Sequence, residues 1–393
     1  MPPKRSAKAA PTKSIDDAVA AAKPSSRVRK AATKEVEPAA APTTATTTTK
    51  RSSRQAGKQK DSKSAAAVAA AVAASDAATT ASAAAPPLVR KKSDPALRTV
   101  QKKASKSLAP PHPESQDDYA TAYGTVAGQA KVVSWNVNGI NAWINNGGVA
   151  VLDKDKPDVV CLQEVKANEP DVAKWTKALG NWPHVYFSCC STQKGYAGTA
   201  VLSRVKPLSV HYGLDDDGKH EPEGRVILVE FAGFILVNTY VPNSGMKLEN
   251  LAFRQEWDAK LLARMLALSK KLGNKPLLWT GDLNVAHTDW DCARPDERRN
   301  KVPGVCDEER AGLDNALAAG FVDLWRQQNP GTQHYTFWSY KFQGREKNLG
   351  YRLDYWLASH GLDKKLGQAF IRSTAEGSDH VPLGVLVDPK LLA

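Results

Sequence analysis

Apolar and polar residues alternate in short blocks over the last two-thirds of the chain. One apolar run, at residues 277–280, is followed directly by Gly281, Asp282, Leu283 and Asn284. A run of this kind predicts a buried strand, and Gly281 permits a tight turn where the strand ends. Period-two alternation then puts Asp282 and Asn284 on one face and turns Leu283 into the core. An isolated Gly-Asp-x-Asn is more often an Asx turn that closes a strand. Whether this one belongs to a functional site therefore depends on the polar residues elsewhere in the chain.

The same alternation predicts further strands and one long helix. Strands are expected at residues 131–135, 158–162, 196–203, 226–231, 234–240, 352–358, 368–372 and 381–387. Two of them, 226–231 and 234–240, are separated by Ala-Gly, which predicts a hairpin. Apolar residues at spacings of three and four over 248–272 predict a helix that packs on the core and carries no chemistry. Strands interleaved with helices, and at least one hairpin, favour a layered α/β sandwich with mixed pairing.

The first third of the chain has a different composition. All ten Trp and all eight Phe lie after residue 130, and residues 1–128 are rich in Ala, Lys, Ser, Thr and Pro. Residues 1–128 also hold 22 Lys and Arg against 10 Asp and Glu, so they account for nearly all of the net charge of +13. A segment with so few aromatic residues buries too little apolar surface to offset its chain entropy. We therefore predict a disordered basic tail over 1–128 and one folded domain over 129–393.

Four short clusters of Lys and Arg lie in this tail, at residues 4–5, 27–30, 50–54 and 90–92. They suit nuclear import and loose attraction to DNA, although a merely solvated tail, or a transit peptide for the mitochondrion or another DNA-containing organelle, has a similar composition. The Ala-Val run over 65–74 is too short and too weakly apolar to span a bilayer, so no membrane association is expected. Five cysteines without a CxxC pair favour a reducing compartment and indicate no structural zinc site.

Polar side chains follow the ends of several predicted strands. They are Asn136, Asn138, Glu164, Tyr240, Asn243, Asp282, Asn284, Asp354, Asp379 and His380. Carboxylates and carboxamides with a single His suit a hard cation, so the pattern favours Mg²⁺ or Mn²⁺ over zinc. A metal-bound carboxylate such as Glu164, a second carboxylate that prepares water, and Asn, Tyr and His donors would together serve phosphodiester hydrolysis. Each of these polar residues alone has an ordinary structural explanation. Because so many of them follow strand ends, a role in phosphodiester hydrolysis is favoured.

Six motifs in order carry a resemblance to a known family. They are residues 134–139 (Ser-Trp-Asn-Val-Asn-Gly), 162–166 (Leu-Gln-Glu-Val-Lys), 240–243 (Tyr-Val-Pro-Asn), 281–284 (Gly-Asp-Leu-Asn), 352–355 (Arg-Leu-Asp-Tyr) and 378–380 (Ser-Asp-His). This set resembles the apurinic/apyrimidinic endonucleases of the exonuclease III type over about residues 130–388. The resemblance implies the four-layered α/β sandwich, with two mixed sheets, of the endonuclease/exonuclease/phosphatase superfamily. It also implies a monomer that incises double-stranded DNA 5′ to an abasic site, in base-excision repair, with Mg²⁺ and a 3′-hydroxyl product.

The resemblance also implies roles for the metal-binding and water-activating residues. Glu164 would be the principal metal ligand, with Asn138 and Asp379 near the metal. Asp282 would prepare the attacking water, and Asn284 would orient it.

A second group of residues would contact the DNA. The scissile phosphate would meet the side chains of four residues, Asn136, Tyr240, Asn243 and His380, and Asp354 would hold His380. The pocket for the extruded abasic sugar would be lined by Phe337, Tyr351 and Leu353, which would otherwise be ordinary core residues.

Four positions depart from the animal-type members of the family. Asn138 stands where they often have Asp, as it does in bacterial members, and Tyr351 replaces the usual Trp. Met246 replaces an Arg that wedges into the DNA, and Lys341 replaces a second, apolar wedge. The resemblance therefore does not determine how tightly this protein binds its product DNA.

Three alternatives stay open at the level of the sequence. An enzyme that is mainly a 3′–5′ exonuclease or 3′-phosphodiesterase would use the same residues. A superfamily relative that cleaves inositol phosphates or lipids would share Glu, Gly-Asp-x-Asn and Asp-His, but is not expected to carry Trp-Asn-x-Asn-Gly. A non-enzymatic DNA-binding protein would explain the basic tail but not so many acidic residues at strand ends.

Overall fold

The computed structural model describes residues 124–215 and 222–393, and two six-stranded sheets form the centre of this part of the chain. The strands are β1 (Ala130–Asn136), β2 (Val159–Gln163), β3 (His184–Ser188), β4 (Thr199–Ser203), β5 (Ser209–Tyr212), β6 (Val226–Glu230), β7 (Ile235–Tyr240), β8 (Leu277–Asp282), β9 (Phe321–Asp323), β10 (Asp354–Ser359), β11 (Leu366–Ile371) and β12 (Leu383–Val387). The helices are α1 (Ile140–Asn145), α2 (Gly148–Asp155), α3 (Val172–Ala178), α4 (Leu251–Lys271), α5 (Pro295–Arg298), α6 (Asp307–Ala318) and α7 (Leu324–Gln328).

Each sheet has one parallel pair of strands at its centre. The strand order is β11-β12-β1-β2-β4-β3 in the first sheet and β5-β6-β7-β8-β10-β9 in the second. Strands β1 and β2 are parallel, as are β7 and β8, and all other neighbours are antiparallel. The mixed pairing predicted from the sequence is therefore confirmed for both sheets.

Apolar side chains divide the domain into four layers. One buried cluster, which includes Val132 and Leu236, lies between the two sheets. On the outer face of the first sheet, Trp143 of α1 packs in a second cluster, and on the outer face of the second sheet Trp257 of α4 and Leu313 of α6 pack in a third. The order helix, sheet, sheet, helix is the four-layered sandwich that the resemblance implies.

Most of the predicted elements are present, with shifted ends. The long helix predicted over 248–272 is α4, and the strand predicted from residue 196 begins only at Thr199. Strands β3, β5 and β9 were not predicted, and all three are edge strands. Gly281 lies inside β8 rather than after it, with φ of 135°. A Cβ there would lie 1.9 Å from the Thr239 carbonyl oxygen of β7, so only glycine permits this close strand pairing.

Buried amides join the two sheets directly beneath the polar strand ends. Gln163 of the first sheet donates through Nε2 to Asn238 Oδ1 of the second at 2.8 Å. Asn238 Nδ2 donates in turn to the carbonyl oxygens of Leu162 and Ala200 at 3.1 and 3.0 Å. Because a buried polar group is costly unless it is hydrogen-bonded, these bonds fix how the two sheets face each other.

Two predictions concern parts of the chain beyond this core. Residues 1–123 of the predicted disordered tail (1–128) lie outside the described residues. Of the tail residues that the structure describes, Val126 packs against the outer cluster of the first sheet. Among the helices that the structure describes, none combines the length and the apolar character needed to cross a membrane.

Candidate active site

The two central parallel strand pairs end at the same place. Asn136 is the last residue of β1, and its Nδ2 donates to Asp282 Oδ2 at 2.8 Å and to Glu164 Oε1 at 2.9 Å. Glu164 directly follows β2, and Asp282 ends β8. One amide therefore bridges a carboxylate from each sheet, and both of its hydrogens are used in doing so.

The first-sheet side of the site is built around Glu164 and Asn138. Both have left-handed backbone, with φ of 49° for Glu164 and 44° for Asn138. Lys166 Nζ lies 3.0 Å from Glu164 Oε2 and donates to Asn138 Oδ1 at 2.5 Å. Burial opposes the charge on Glu164, but the Lys166 charge and the hydrogen bonds from Asn136 and Lys166 outweigh it and lower its pKa below the ordinary value. Asn138 Nδ2 also donates to Asp379 Oδ1 at 3.1 Å.

The second-sheet side is built around Asp282, which is only 2% exposed. Its Oδ1 accepts the backbone N–H of Asn284 at 2.9 Å, an Asx turn of the kind expected after a strand. Asp354 lies directly opposite on the antiparallel strand β10. Burial, together with the charges of Asp354 and Glu164, raises the pKa of Asp282 to about 7, even though His380 lowers it.

His380 lies between the two facing carboxylates. Its Nδ1 donates to Asp354 Oδ2 at 2.8 Å, and its Nε2 lies 3.8 Å from Asp282 Oδ2. Thr336 Oγ1 donates to the same Asp354 oxygen at 2.6 Å and accepts the backbone N–H groups of Leu353 and Asp354. Burial disfavours the imidazolium, but Asp354 and Asp282 outweigh it and raise the pKa of His380 to about 10. His380 is therefore a cation at neutral pH.

Two groups of side chains could hold a metal ion. Asp282, Asp354 and His380 offer ligand atoms that lie within 4.8 Å of one another. A protonated imidazole has no lone pair to offer, however, so His380 cannot act as a ligand in its favoured form. Glu164 and Asn138 instead offer oxygens that already converge on the Lys166 ammonium. That donor set fits a hard divalent cation better than the buried group does.

Tyr240 ends β7 beside this cluster. Burial and the charges of Glu164 and Asp282 raise the pKa of its phenol well above the ordinary value, so the hydroxyl keeps its proton. The Arg225 guanidinium lies 4.6 Å from the centre of the Tyr240 ring and donates to the Tyr240 carbonyl oxygen at 3.2 Å. Arg225 thus fixes both the ring and the backbone of Tyr240.

The loops after β7 and β8 are joined by their carboxamides. Asn243 Nδ2 donates to Asn284 Oδ1 at 3.1 Å, and Asn284 Nδ2 donates to the Val241 carbonyl oxygen at 2.9 Å. Asn284 has left-handed backbone, with φ of 48°. The loop after β7 therefore holds the Asn284 side chain in place.

An apolar cluster borders this group of polar residues. Leu353 is 8% exposed, and Phe337 and Tyr351 are half-buried beside it. The Phe337 ring centre lies 4.7 Å from that of His380 and 6.2 Å from that of Tyr351. The Arg298 guanidinium lies over the Tyr351 ring, 4.7 Å from its centre. The structure thus brings together all ten predicted polar residues and puts the three predicted pocket residues next to them.

Several residues of the site were missed by sequence reasoning. Lys166 lies two residues after Glu164 within one of the six motifs, and this spacing is a visible signal. Thr336 and Arg225 have no local pattern that marks them, because their roles depend on residues distant in the chain. Tyr340 is 69% exposed, whereas the sequence analysis considers only its neighbour Lys341.

Comparisons with known proteins agree with this geometry. Residues 133–380 match the Endonuclease/Exonuclease/phosphatase family. The chain is 39% identical over 284 residues to DNA repair nuclease APEX1 of Danio rerio, a match that covers 72% of this chain and 90% of that protein. It is 42% identical over 264 residues to a DNA-(apurinic or apyrimidinic site) endonuclease of Dictyostelium discoideum, covering 66% and 71%. AP endonuclease LMAP from Leishmania major superposes with a TM-score of 0.60 at 28% identity, covering 73% and 98%. The chain belongs to the Endonuclease/Exonuclease/phosphatase family and, within it, to the apurinic/apyrimidinic endonucleases of the exonuclease III type.

Proposed function

We propose that this enzyme hydrolyses the phosphodiester bond on the 5′ side of an abasic site in double-stranded DNA and leaves a 3′-hydroxyl. The observation that supports this most is the bridging of Glu164 and Asp282 by Asn136. The two carboxylates have pKa values shifted in opposite directions. Phosphodiester hydrolysis needs both kinds, one that stays charged to hold a cation and one near neutrality to accept a proton from water.

Asp282 is the proposed general base. A carboxylate with a pKa of about 7 accepts a proton readily at neutral pH, whereas an ordinary Asp is too weak a base. The Asn284 side chain, held by Asn243 and Val241, would orient the water beside it.

A divalent cation would be held by Glu164, with Asn138 and Asp379 beside it. Mg²⁺ is the proposed ion and Mn²⁺ the alternative, because oxygen ligands with few carboxylates suit both. When bound, the cation would offset negative charge on the phosphate. Lys166, which lies between Glu164 and Asn138, would have to yield its place at these oxygens.

The remaining polar groups are proposed to bind the scissile phosphate. His380 would meet it as a cation held by Asp354, and Tyr240 would donate its phenolic proton. Asn243 is a further amide donor at the same edge. For Asn136 we propose the bridging role instead of direct phosphate contact, because both of its amide hydrogens are already used.

Selection of the abasic nucleotide is proposed to lie with Phe337, Tyr351 and Leu353. An apolar pocket too small for a base admits a sugar that lacks one, and extrusion costs least where stacking is already lost. The contact between the Phe337 and His380 rings supports this, because it joins the apolar cluster to the catalytic groups. We further propose that the enzyme works as a monomer in the nucleus, with residues 1–128 as a basic tail that attracts DNA.

The test compares two duplexes of the same sequence. One carries a single stable abasic-site analogue, and the other is undamaged with a recessed 3′ end. We expect Mg²⁺-dependent incision 5′ to the abasic analogue, with a 3′-hydroxyl product that a polymerase extends, at a rate well above that of end trimming. Faster trimming of the undamaged end would contradict the proposal and favour a 3′-exonuclease. The full chain with Asp282→Asn serves as the control for a contaminating nuclease.

A further inference from the structure

Arg254 lies in the first turn of α4, and only 2% of the residue is exposed. Its guanidinium donates to three backbone carbonyl oxygens: Nη2 to Leu283 at 2.7 Å, and Nη1 to Pro242 at 3.0 Å and Asn284 at 3.3 Å. Its Nε is held by both carboxylate oxygens of Asp258 one helical turn away, at 2.9 and 2.8 Å. One side chain thus binds the two loops that carry the catalytic residues after β7 and β8.

These carbonyl groups lie where the sheet can no longer satisfy them. The parallel pairing of β7 with β8 ends at Tyr240 and Asp282, and the last backbone bond runs from Val241 N to the Asp282 carbonyl oxygen at 2.9 Å. Beyond it the two loops share only side-chain bonds. Asn243 and Asn284 join the two loops through their carboxamides. The Arg254 guanidinium also joins them, because it binds carbonyl oxygens of both loops.

A planar guanidinium is well suited to this place. It presents its N–H groups in a fixed fork, so the three carbonyl oxygens must hold one mutual arrangement to be bound together. Asp258 fixes the orientation of the fork and offsets its buried charge. The side chain reaches none of the groups proposed to touch DNA or metal, and it acts on them only through backbone.

We propose that Arg254 is a positioning residue, which fixes Asp282 and Asn284 relative to Tyr240 and Asn243 by binding the backbone of both loops. This inference rests on the proposed function, because its readout is the rate of abasic incision. None of these contacts is made to Glu164, so the proposal concerns the water-activating side of the site and not the metal-binding side. Loss of the fork should slow chemistry while metal affinity stays at the wild-type value.

Arg264 provides a matched control on the same helix. It is also buried, at 5% exposed, and it faces His211 and Asp215 near edge strand β5 instead of the catalytic loops. The experiment compares full-length Arg254→Met, Arg254→Lys and Arg264→Met with the wild type. Three quantities are measured at a temperature where circular dichroism shows all four to be folded: the single-turnover incision rate at saturating enzyme, the Kd for an abasic duplex, and the Kd for Mn²⁺.

We expect Arg254→Met to slow single-turnover incision by about 10²-fold, since a misplacement of about 1 Å in a catalytic group costs that much. The Kd values for DNA and Mn²⁺ should stay near those of the wild type. Arg254→Lys should recover part of the rate, because an ammonium can bind some of the carbonyls without the fork. Arg264→Met should lower the melting temperature yet keep the wild-type rate.

Three outcomes would overturn the proposal. They are a wild-type rate in folded Arg254→Met, an equal loss of rate in Arg264→Met, and a loss of Mn²⁺ affinity that accounts for the slower incision. Failure of the proposed function is distinct, because it would be seen as absence of abasic incision by the wild-type protein itself.

Discussion

Glu164 and Asp282 are chemically alike and hold comparable positions in the two sheets. Each stands at the end of a central parallel strand, and each accepts a hydrogen bond from the same Asn136 amide. Their pKa values nevertheless move in opposite directions, below the ordinary value for Glu164 and to about 7 for Asp282. The side-chain exposure differs as well, 18% for Glu164 against 2% for Asp282.

The difference comes first from the deep burial of Asp282, which raises its pKa, and then from the charged neighbours on each side. Glu164 has Lys166 at 3.0 Å, and a nearby cation favours the charged carboxylate. Asp282 has Asp354 opposite it in register, and a nearby anion favours the neutral acid. Two carboxylates of similar chemistry thus acquire opposite pKa shifts from their burial and their charged neighbours. The following predictions test the proposal that they also have different roles.

The largest effect is expected from Asp282→Asn. Removal of the proposed base should lower the rate of abasic incision by about 10²–10⁴-fold, the usual contribution of a general base. The measurement is single-turnover incision at pH 8, with a melting curve to show that the fold is intact. A rate near that of the wild type would remove Asp282 from the chemistry.

A different kind of loss is expected from Glu164→Gln. At low Mg²⁺ the rate should fall by about 10²-fold, because a ligand has been lost, and raised Mn²⁺ should restore much of it. Asp282→Asn should show no such recovery in the same metal titration. Equal recovery in both variants would mean that the two carboxylates do not differ in role.

The pH dependence follows from two shifted groups. Asp282 must be ionised to act as a base, so incision should fall about tenfold per pH unit below its pKa of about 7. His380 must be protonated, so the rate should be flat above pH 7 and fall again near its pKa of about 10. His380→Asn should abolish the fall at high pH and move the fall at low pH to a higher pH, because the His380 charge lowers the pKa of Asp282. A low-pH limit near 4 would show that the relevant carboxylate has an ordinary pKa.

A moderate change in selectivity is expected from Tyr351→Ala. A larger pocket should admit normal nucleotides, so the ratio of exonuclease activity to abasic incision should rise by about tenfold. Both activities are measured on matched duplexes. An unchanged ratio with a large drop in melting temperature would make Tyr351 a core residue without a part in selection.

The smallest effect concerns the tail. Deletion of residues 1–123 should leave the rate at saturating DNA unchanged and weaken DNA binding by about threefold to tenfold at low salt, because the tail holds most of the net charge. The difference should vanish at high salt. Loss of the saturating rate would mean that the tail is part of the catalytic domain.

The sequence predicted the centre of the fold better than its borders. Strands β1, β2, β7 and β8 were anticipated, because strands buried on both faces are long apolar runs. The missed strands β3, β5 and β9 are all at sheet edges. Most side chains of β3 and all of those of β5 are only partly buried, so their apolar pattern is weaker, and β9 has only three residues. The sequence of α4 places a basic residue on its apolar face. Arg254 stands three residues before Trp257 on the apolar face, and a buried cation needs partners.

The residue types of the site follow from the sequence, but the contacts that set their pKa values do not. Six motifs named the carboxylates and amides, since those lie in short contiguous segments. No segment shows that Asp354 faces Asp282 or that Arg225 stacks on Tyr240, because strand register and loop packing decide both. The pKa contrast between the two carboxylates therefore emerges only in the folded chain.

Direct titration with Mn²⁺, followed by its electron paramagnetic resonance signal, tests the central claim most closely. If Glu164 holds the cation and Asp282 activates water, Glu164→Gln should weaken Mn²⁺ binding by about tenfold or more, and Asp282→Asn should bind Mn²⁺ like the wild type. A loss of Mn²⁺ affinity in Asp282→Asn, with Glu164→Gln unaffected, would contradict the account. It would place the cation at Asp282, Asp354 and His380, the other group whose ligand atoms lie within 4.8 Å of one another.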